Sequence, residues 1–552
     1  MEKRLLVAAF LSLGVLLLWE WLGPKAPRRA AVPALPTPAA TVLPRTAVPT
    51  AGAATASAAS TAAPVEPIAG TQEGLTTLEN AVARATFSNR GAVMTSLVLL
   101  KHFDDQKRPL ELVHTLPDPA LKPLAVTFNG NPDLTRVASN ALFAADPGGG
   151  PSGRSVRFRY ADDKISITKE IRFRDGYLFD VKVTVAGPAY TVLAGTGLRN
   201  PTLKELESRY VMPPSAVALV GGKVEVVPAP KMKKEEAWPL AENAFVGVED
   251  NYFIAVLAPR QPSTARIIPV TLPPAPGAPE ASKGSPNVSA GVSSSGALDL
   301  RAFFGPKDVE ILESTGLGLE RTVNFGWYGI VARPLLWLLK KAYSWTGNYG
   351  IAILLVTLLI RILLFPLMHK SYASMKKMQK LAPKMNAIRD RYKKAKTDAA
   401  QRQKMNQELM ALYQAEGYNP MSGCFPVLLQ LPILVAFYNV LSRAVELRHA
   451  PFMFWIRDLS AADGSYVLVI LMIVSMYVQQ AMTPSTVDPM QKKIFMAMPL
   501  LWGFMLKNMP AGLVLYWLFS NVLAILQQML INRTGNDDGG KAAGKSARLK
   551  PA

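Results

Sequence analysis

The sequence predicts a polytopic α-helical membrane protein carrying one large β-sandwich domain. Three observations support that fold class. The chain has 552 residues, 49% of them hydrophobic and 21 of them methionine, and its apolar residues gather in long runs. Between about 71 and 321 those runs give way to short segments that alternate at period two. The net charge of +21 is uneven, with +4 on residues 23–325 and +17 on the remainder. A basic excess beside apolar spans points to cytoplasmic loops and anionic lipid.

Residues 1–23 open with Glu2-Lys3-Arg4 and run into LLVAAFLSLGVLLLWEWL. The run ends in Trp19-Glu20-Trp21 and Pro24, without the small-x-small site of a cleaved signal, so an uncleaved signal anchor is expected. Residues 24–70 hold nine prolines among Ala and Thr and read as a disordered tether. Residues 71–325 form the β domain. VRFRY (156–160), ISITKEIRF (165–173) and YLFDVKVTV (177–185) alternate cleanly, with turns at Asp162-Asp163 and Asp175-Gly176.

WYGIVARPLLWLLKKAY (327–343) is interrupted by Arg333 and Pro334, too short and mixed to span, and residues 326–348 read as an interfacial amphipathic helix. Spans are expected at 349–368, 420–441, 466–482, 494–506 and 511–531, giving six with the anchor. The loop 369–419 holds 12 basic and 4 acidic residues, whereas 442–465 is balanced at three each. The positive-inside bias therefore places both termini in the cytoplasm and the β domain outside. The 494–506 span has only 13 residues, roughly 20 Å as a helix against roughly 30 Å of hydrocarbon. A short hairpin that thins the bilayer and a helix whose ends lie a turn further out are both consistent with it.

The loop 370–417 reads as an amphipathic helical hairpin. Met375, Met378, Met385, Ile388 and Tyr392 recur at helical spacing on its first helix, and Met405, Leu409 and Leu412 on its second. Two compatible readings follow: a pair that buries its own stripe, or an adaptable methionine surface that recruits partners. Residues 532–552 read as a flexible basic cytoplasmic tail.

Few function classes survive inspection. HExxH, GxSxG and clustered metal-ligand spacings are absent, so neither an enzyme nor a metal or cofactor is expected. Gly539–Ser546 fits GxxxxGK[ST], but it stands in a polar tail without the strand and helix a phosphate loop needs. The single cysteine, Cys424, permits no internal disulfide.

Arg361 carries the sharpest signal. It lies inside LLVTLLIRILLFPL, nine residues before Lys370 and about 13 Å from it along a helix, which strains a snorkelling explanation. The five spans contain no Asp or Glu; they offer Thr357, Gln430, Asn439, Ser475, Gln479, Ser520, Asn521, Gln527 and Gln528 instead. An intramembrane cation among hydroxyls and amides suggests a hydrated pocket, and the missing acid suggests that its partner is transient and arrives with a substrate.

NPMSGCFPVLLQLPILVAFYNVL (419–441), VELRHAPFMFWIRDLSAAD (445–463), DPMQKKIFMAMP (488–499) and PAGLVLYWLFSNVLAILQQ (510–528) resemble the YidC/Oxa/Alb membrane-protein insertases, in their Gram-negative bacterial form. The resemblance implies a mutarotase-like supersandwich for the β domain and a five-span core with a half-depth groove open to cytoplasm and lipid. It implies that Arg361, Thr357, Gln430, Pro432, Tyr516, Trp517 and Asn521 line that groove. The implied function is insertion and chaperoning of nascent inner-membrane proteins in the bacterial inner membrane. The implied partners are the Sec translocon, the ribosome and the signal recognition particle machinery. A secondary transporter or channel using the same cavity is the alternative, and a scaffold built on the β domain is a third reading.

Overall fold

Period-two alternation becomes a meander of three antiparallel strands, Ser155–Ala161, Ser166–Phe173 and Leu178–Ala186, in the computed structural model. The structure describes residues 67–104, 106–147, 154–199, 212–273, 284–392, 398–417, 425–482 and 489–546; the expected anchor and tether lie outside them. Asp162 closes the first turn by accepting from the N–H groups of Lys164 and Ile165, both at 2.8 Å. Gly176 opens the second at φ +69°, where a side chain would be strained.

These strands belong to a nine-stranded antiparallel sheet. Its order is Lys223–Pro228, Ser215–Val220, Val246–Glu249, Phe253–Pro259, Leu298–Pro306, Leu178–Ala186, Ser166–Phe173, Ser155–Ala161 and Ala144–Pro147. A five-stranded sheet centred on Ser285–Ser294 packs against it, so that Val192, Val288 and Val292 share a core with Val217, Val248 and Ile254. The expected sandwich is present, with a further four-stranded sheet from Leu75–Glu79 to Pro109–Glu111. Helix α1 (Pro132–Asn140) lies between strands, and α2 (Val309–Ser314) follows the last one.

One buried position of the meander is a lysine. Lys169 is 0% exposed, and its Nζ donates to the carbonyls of Gly91, Ala92 and Leu124, each at 2.9 Å. Three donors thus meet three acceptors, and all three carbonyl residues have left-handed backbones at φ +69°, +48° and +65°. Burial pushes the ammonium down to about 7, while the carbonyl bonds favour its charged form.

After the sandwich come the helices. Helix α3 (Gly329–Thr346) is continuous through Pro334, contrary to the interruption read from sequence. The proline forfeits one bond, to the carbonyl of the exposed Ile330, while Ala332, Leu335, Leu336, Leu339 and Ala342 hold the helix down. Helix α4 (Tyr349–Arg391) starts on an Asn348 cap and runs on past the expected span end. Then follow α5 (Ala399–Ala415), α6 (Phe425–Arg443), α7 (Val467–Met482), α8 (Pro489–Leu506) and α9 (Ala511–Ser546).

Two boundaries differ from expectation. Helix α8 begins five residues before Ile494, with Pro489 at the first position that proline suits, and its 18 residues make about 27 Å. Helix α9 continues through the expected flexible tail, because extending a formed helix needs only one bond per residue. The GxxxxGK[ST] match therefore lies on a helix end rather than in a loop.

Contacts divide the chain into two units, 64–376 with 421–552, and 377–420. Within the smaller unit, Leu381, Met385 and Ile388 pack on Leu409, and Tyr392 donates to Glu408 at 2.7 Å.

In the larger unit, Lys340 of α3 meets Asp308 at 3.3 Å, Glu310 at 2.9 Å and Glu446 at 3.2 Å. Burial and the neighbouring Asp308 push the Glu446 carboxyl up to about 7. A carboxyl with a raised folded pKa stabilises fully below its unfolded value of 4.5, and that contribution disappears as pH rises through about 7. Amide exchange at Val445–Leu447, corrected for intrinsic rate, should accelerate as pH rises from about 4.5 to 7 and level off above that, and Glu446→Gln should flatten the profile. Lys169→Met leaves three buried carbonyls unpaired and should destabilise the sandwich by about 3 kcal/mol or more. Loss of exchange protection along Ser166–Phe173 is the measurement, and wild-type protection in the variant would contradict the role.

Candidate functional site

The site is built where α4 and α9 run side by side in the same direction. Three pairs fix the register: Ile353 with Gly512, Arg361 with Ser520, and Phe365 with Gln527. A Cβ on Gly512 would come within 3.3 Å of Ile353 and 3.1 Å of the Leu459 carbonyl, so glycine permits the close approach. The start of α9 is tied down by N–H bonds from Ala511 and Gly512 to the carbonyls of Ala461 and Leu459.

Arg361 is half-buried and points its Nε and Nη2 edge at a single residue. Nη2 donates to the Ser520 hydroxyl at 2.6 Å and to its carbonyl at 2.8 Å, and Nε donates to the same hydroxyl at 3.2 Å. Gln430 of α6 donates to that hydroxyl at 3.3 Å, and the Tyr516 hydroxyl lies against Gln430 and Ser520. Tyr516 is stacked on Phe437 with ring centroids 4.1 Å apart. Arg361, Gln430 and Tyr516 are therefore gathered around Ser520, one of the polar span residues named above but not one that the resemblance places in the groove. Its signal was available, since Ser520 stands four residues after Tyr516 on one helical face.

The expectation of a purely transient partner is corrected by this geometry. The spans hold no acid, but a hydroxyl and a carbonyl of α9 reach the guanidinium, so Arg361 has a resident partner that is uncharged.

The other residues that the resemblance places in the groove make different contacts. Thr357 is 1% exposed and spends its hydroxyl on the Ile353 carbonyl at 2.6 Å. Asn521 is buried and donates to Ser475 of α7 at 3.1 Å. Trp517 packs on Trp502 of α8, with centroids 5.2 Å apart. Pro432 sits inside α6, where its missing N–H leaves the Leu428 carbonyl without its usual helical donor.

Met385 is 1% exposed inside the hairpin core, with Tyr413 donating to its sulfur at 3.8 Å, and Met405 is partly buried against the same core. These two belong to the stripe that joins the two helices. The side chains of Met375 and Met378 lie outside the described residues.

Beside the polar cluster, Ile362 and Leu363 are 60% and 68% exposed. They share one face of α4 with the exposed Leu355 and Leu359, and Ile470 and Val474 of α7 are exposed as well. Among the described residues, two helical segments, Tyr349–Ser371 and Ala511–Ile531, are long and apolar enough to cross a membrane, and Val467–Met482 and Ile494–Leu506 are shorter apolar helices. Exposed apolar surface on this scale needs a nonaqueous environment. No group of three or more His, Cys, Asp or Glu that could hold a metal occurs among the described residues.

The family model described as 60Kd inner membrane protein matches residues 341–538, and that of the YidC periplasmic domain matches residues 75–338. A membrane protein insertase YidC of Pelobacter propionicus is 34% identical over 97% of this chain and 100% of its own length. That of Syntrophus aciditrophicus is 35% identical over the same shares. That of Geobacter sulfurreducens is 48% identical over 52% of this chain and 53% of its own length. Among solved structures, an active YidC insertase with its first transmembrane domain resolved aligns over 84% of this chain and 93% of its own, at 19% identity and a TM-score of 0.36. A galactose mutarotase related enzyme from Lactobacillus acidophilus aligns over 42% of this chain and 97% of its own, at 10% identity and a TM-score of 0.28.

Ser520→Ala removes two side-chain bonds to an ionised group and should lower the stability of the helical core by about 1–3 kcal/mol. Ser520→Thr keeps the hydroxyl and should retain most of it. Thermal unfolding of the purified full chain distinguishes them, and equal loss in both variants would show that shape rather than hydrogen bonding matters at this position.

Proposed function

This chain belongs to the YidC family of membrane protein insertases, and from that premise we propose that Arg361 and the amides around it receive the polar segment of an inserting membrane protein. The carrying observation is a guanidinium held by uncharged partners among spans that contain no acid. A polar segment crossing lipid must replace its hydrogen bonds with water at every step. Gln430, Tyr516 and Ser520 offer donors and acceptors partway across, and Arg361 adds a positive charge that attracts acidic residues on the segment.

The apolar stretch that follows then leaves sideways across Ile362 and Leu363, and its burial in lipid drives the reaction. For acidic tails moving outward, the membrane potential contributes about 2.3 kcal/mol per charge per 100 mV. No covalent step is required.

The rest of the proposal follows the sequence. Six spans cross the bacterial inner membrane with both termini in the cytoplasm and the sandwich in the periplasm, as the basic 369–419 loop supports. Partners are nascent inner-membrane proteins delivered by the ribosome and signal recognition particle, the Sec translocon, and anionic lipid at the basic loop. Pro432, Thr357, Trp517 and Asn521 shape the walls through backbone and packing rather than by touching Arg361. The transporter alternative gains no support from the relatives, all named as insertases among those described above.

Arg361→Ala, reconstituted in vesicles with a membrane potential, should reduce insertion of substrates with acidic translocated tails at least several-fold more than substrates with neutral tails. Equal impairment of both classes would remove the electrostatic role.

A further inference from the structure

The connection between α6 and α7 carries an apolar patch that the interior does not use. Met453, Phe454 and Trp455 are 43%, 86% and 41% exposed. Phe454 has φ +56°, a left-handed conformation that a bulky residue keeps only where its surroundings impose it. Here they do. The Phe452 N–H bonds the Ile456 carbonyl at 3.0 Å, the Ile456 N–H bonds the Met453 carbonyl at 3.2 Å, and the Leu459 N–H bonds the Ala450 carbonyl at 2.9 Å. Asp458 accepts from the His449 N–H at 3.1 Å and lies 3.1 Å from its ring Nδ1. A closed, tied turn thus holds three large side chains outward.

Its position identifies what covers them. At the base of the turn, Phe452 presses on Gly350 in the first turn of α4, where a Cβ would lie 2.0 Å from its ring. Asn348 donates to the Phe452 carbonyl at 3.0 Å. The exposed band of α4 starts at Leu355, five residues or about 8 Å further along the helix, so the turn stands close to the level at which that band begins. Arg448 donates to the Phe103 carbonyl of the sandwich at 2.8 Å, which puts the turn on the sandwich side. Helix α3 ends two residues before Asn348 and exposes Trp337 and Trp345 at 62% and 76%, with the Lys341 ammonium 5.9 Å from the Trp345 ring. Tryptophan beside a cation suits the headgroup level of a bilayer.

We infer that the Met453-Phe454-Trp455 turn is a membrane anchor that inserts into the boundary between headgroups and acyl chains of the outer leaflet. The inference rests on the reading of the α4 band as lipid-facing. Its consequence is positional: Arg361 lies eleven residues beyond Gly350, about 16 Å along the axis, so an anchor at the outer boundary holds the guanidinium near the middle of roughly 30 Å of hydrocarbon.

The test uses the full chain with Cys424→Ser, reconstituted in phosphatidylethanolamine and phosphatidylglycerol vesicles. Single spin labels are placed through Phe454→Cys, Met453→Cys, Leu363→Cys and, as an aqueous reference, Glu225→Cys. Collision with oxygen and with a water-soluble nickel chelate reports depth. The anchor requires oxygen-dominated collisions at 454 or 453, shallower than at 363, and nickel-dominated collisions at 225; either turn position suffices if the other variant fails to assemble. Nickel dominance at 453 and 454 with oxygen dominance at 363 overturns the anchor alone. Nickel dominance at 363 as well overturns the lipid-facing reading beneath it. Protection at 454 that appears only after a ribosome-bound nascent chain is added makes the occupant a substrate and overturns the inference.

Discussion

The bonds from the Arg361 guanidinium to Ser520 are the constraint on which the helical core depends. Placing an arginine at the centre of a span costs roughly 2.5–3.5 kcal/mol on insertion scales, and hydrogen bonds to a charged group return about 1.5–3 kcal/mol each. The return is available only if α9 presents both the hydroxyl and the carbonyl of Ser520 to one edge of the fork. That demands the parallel register of α4 and α9, the glycine at 512 where they cross, and the bonds that tie Ala511 and Gly512 to the connection before α7. Gln430 reaches the same hydroxyl from α6, so three helices are set by one serine oxygen.

A guanidinium held by the hydroxyl and the carbonyl of a serine has a consequence for the proposed function. If an aspartate or glutamate stood opposite Arg361, an incoming acid would compete with a resident ion pair. The hydroxyl and the carbonyl of Ser520 position the guanidinium by hydrogen bonds. The exposed Ile362 and Leu363 stand beside it on the same helix. In the proposed function, orientation and release would use adjacent faces of the same helix.

Legibility in the sequence followed the range of the interaction. The strands around 156–185 were readable because alternation is local, and each structural strand lies within a residue or two of its sequence pattern. The apolar helices were readable because hydrophobic runs are local as well. Lys169 was not, because a lysine on a strand face normally reads as solvent-facing; its three carbonyls come from segments 45 to 78 residues away. Ser520 was legible as a polar span residue but its role was not, because that role comes from an arginine 159 residues earlier. Thr357 and Asn521 show the converse, since polarity inside a span can be spent on the helix itself or on a neighbour such as Ser475. Helix ends were read least well, because the start of α8 and the end of α9 depend on continuation energetics rather than on pattern.

The central claim is that the polar segment of a substrate meets the Arg361 cluster, and that the neighbouring apolar face meets only the departing span. Photo-crosslinkers placed at Gln430, Tyr516 and Leu363, tested against a stalled nascent membrane protein, address it directly. The account predicts that residues of the translocated tail crosslink to positions 430 and 516, whereas position 363 captures the apolar span. Capture of the tail at 363, with positions 430 and 516 silent, would contradict it.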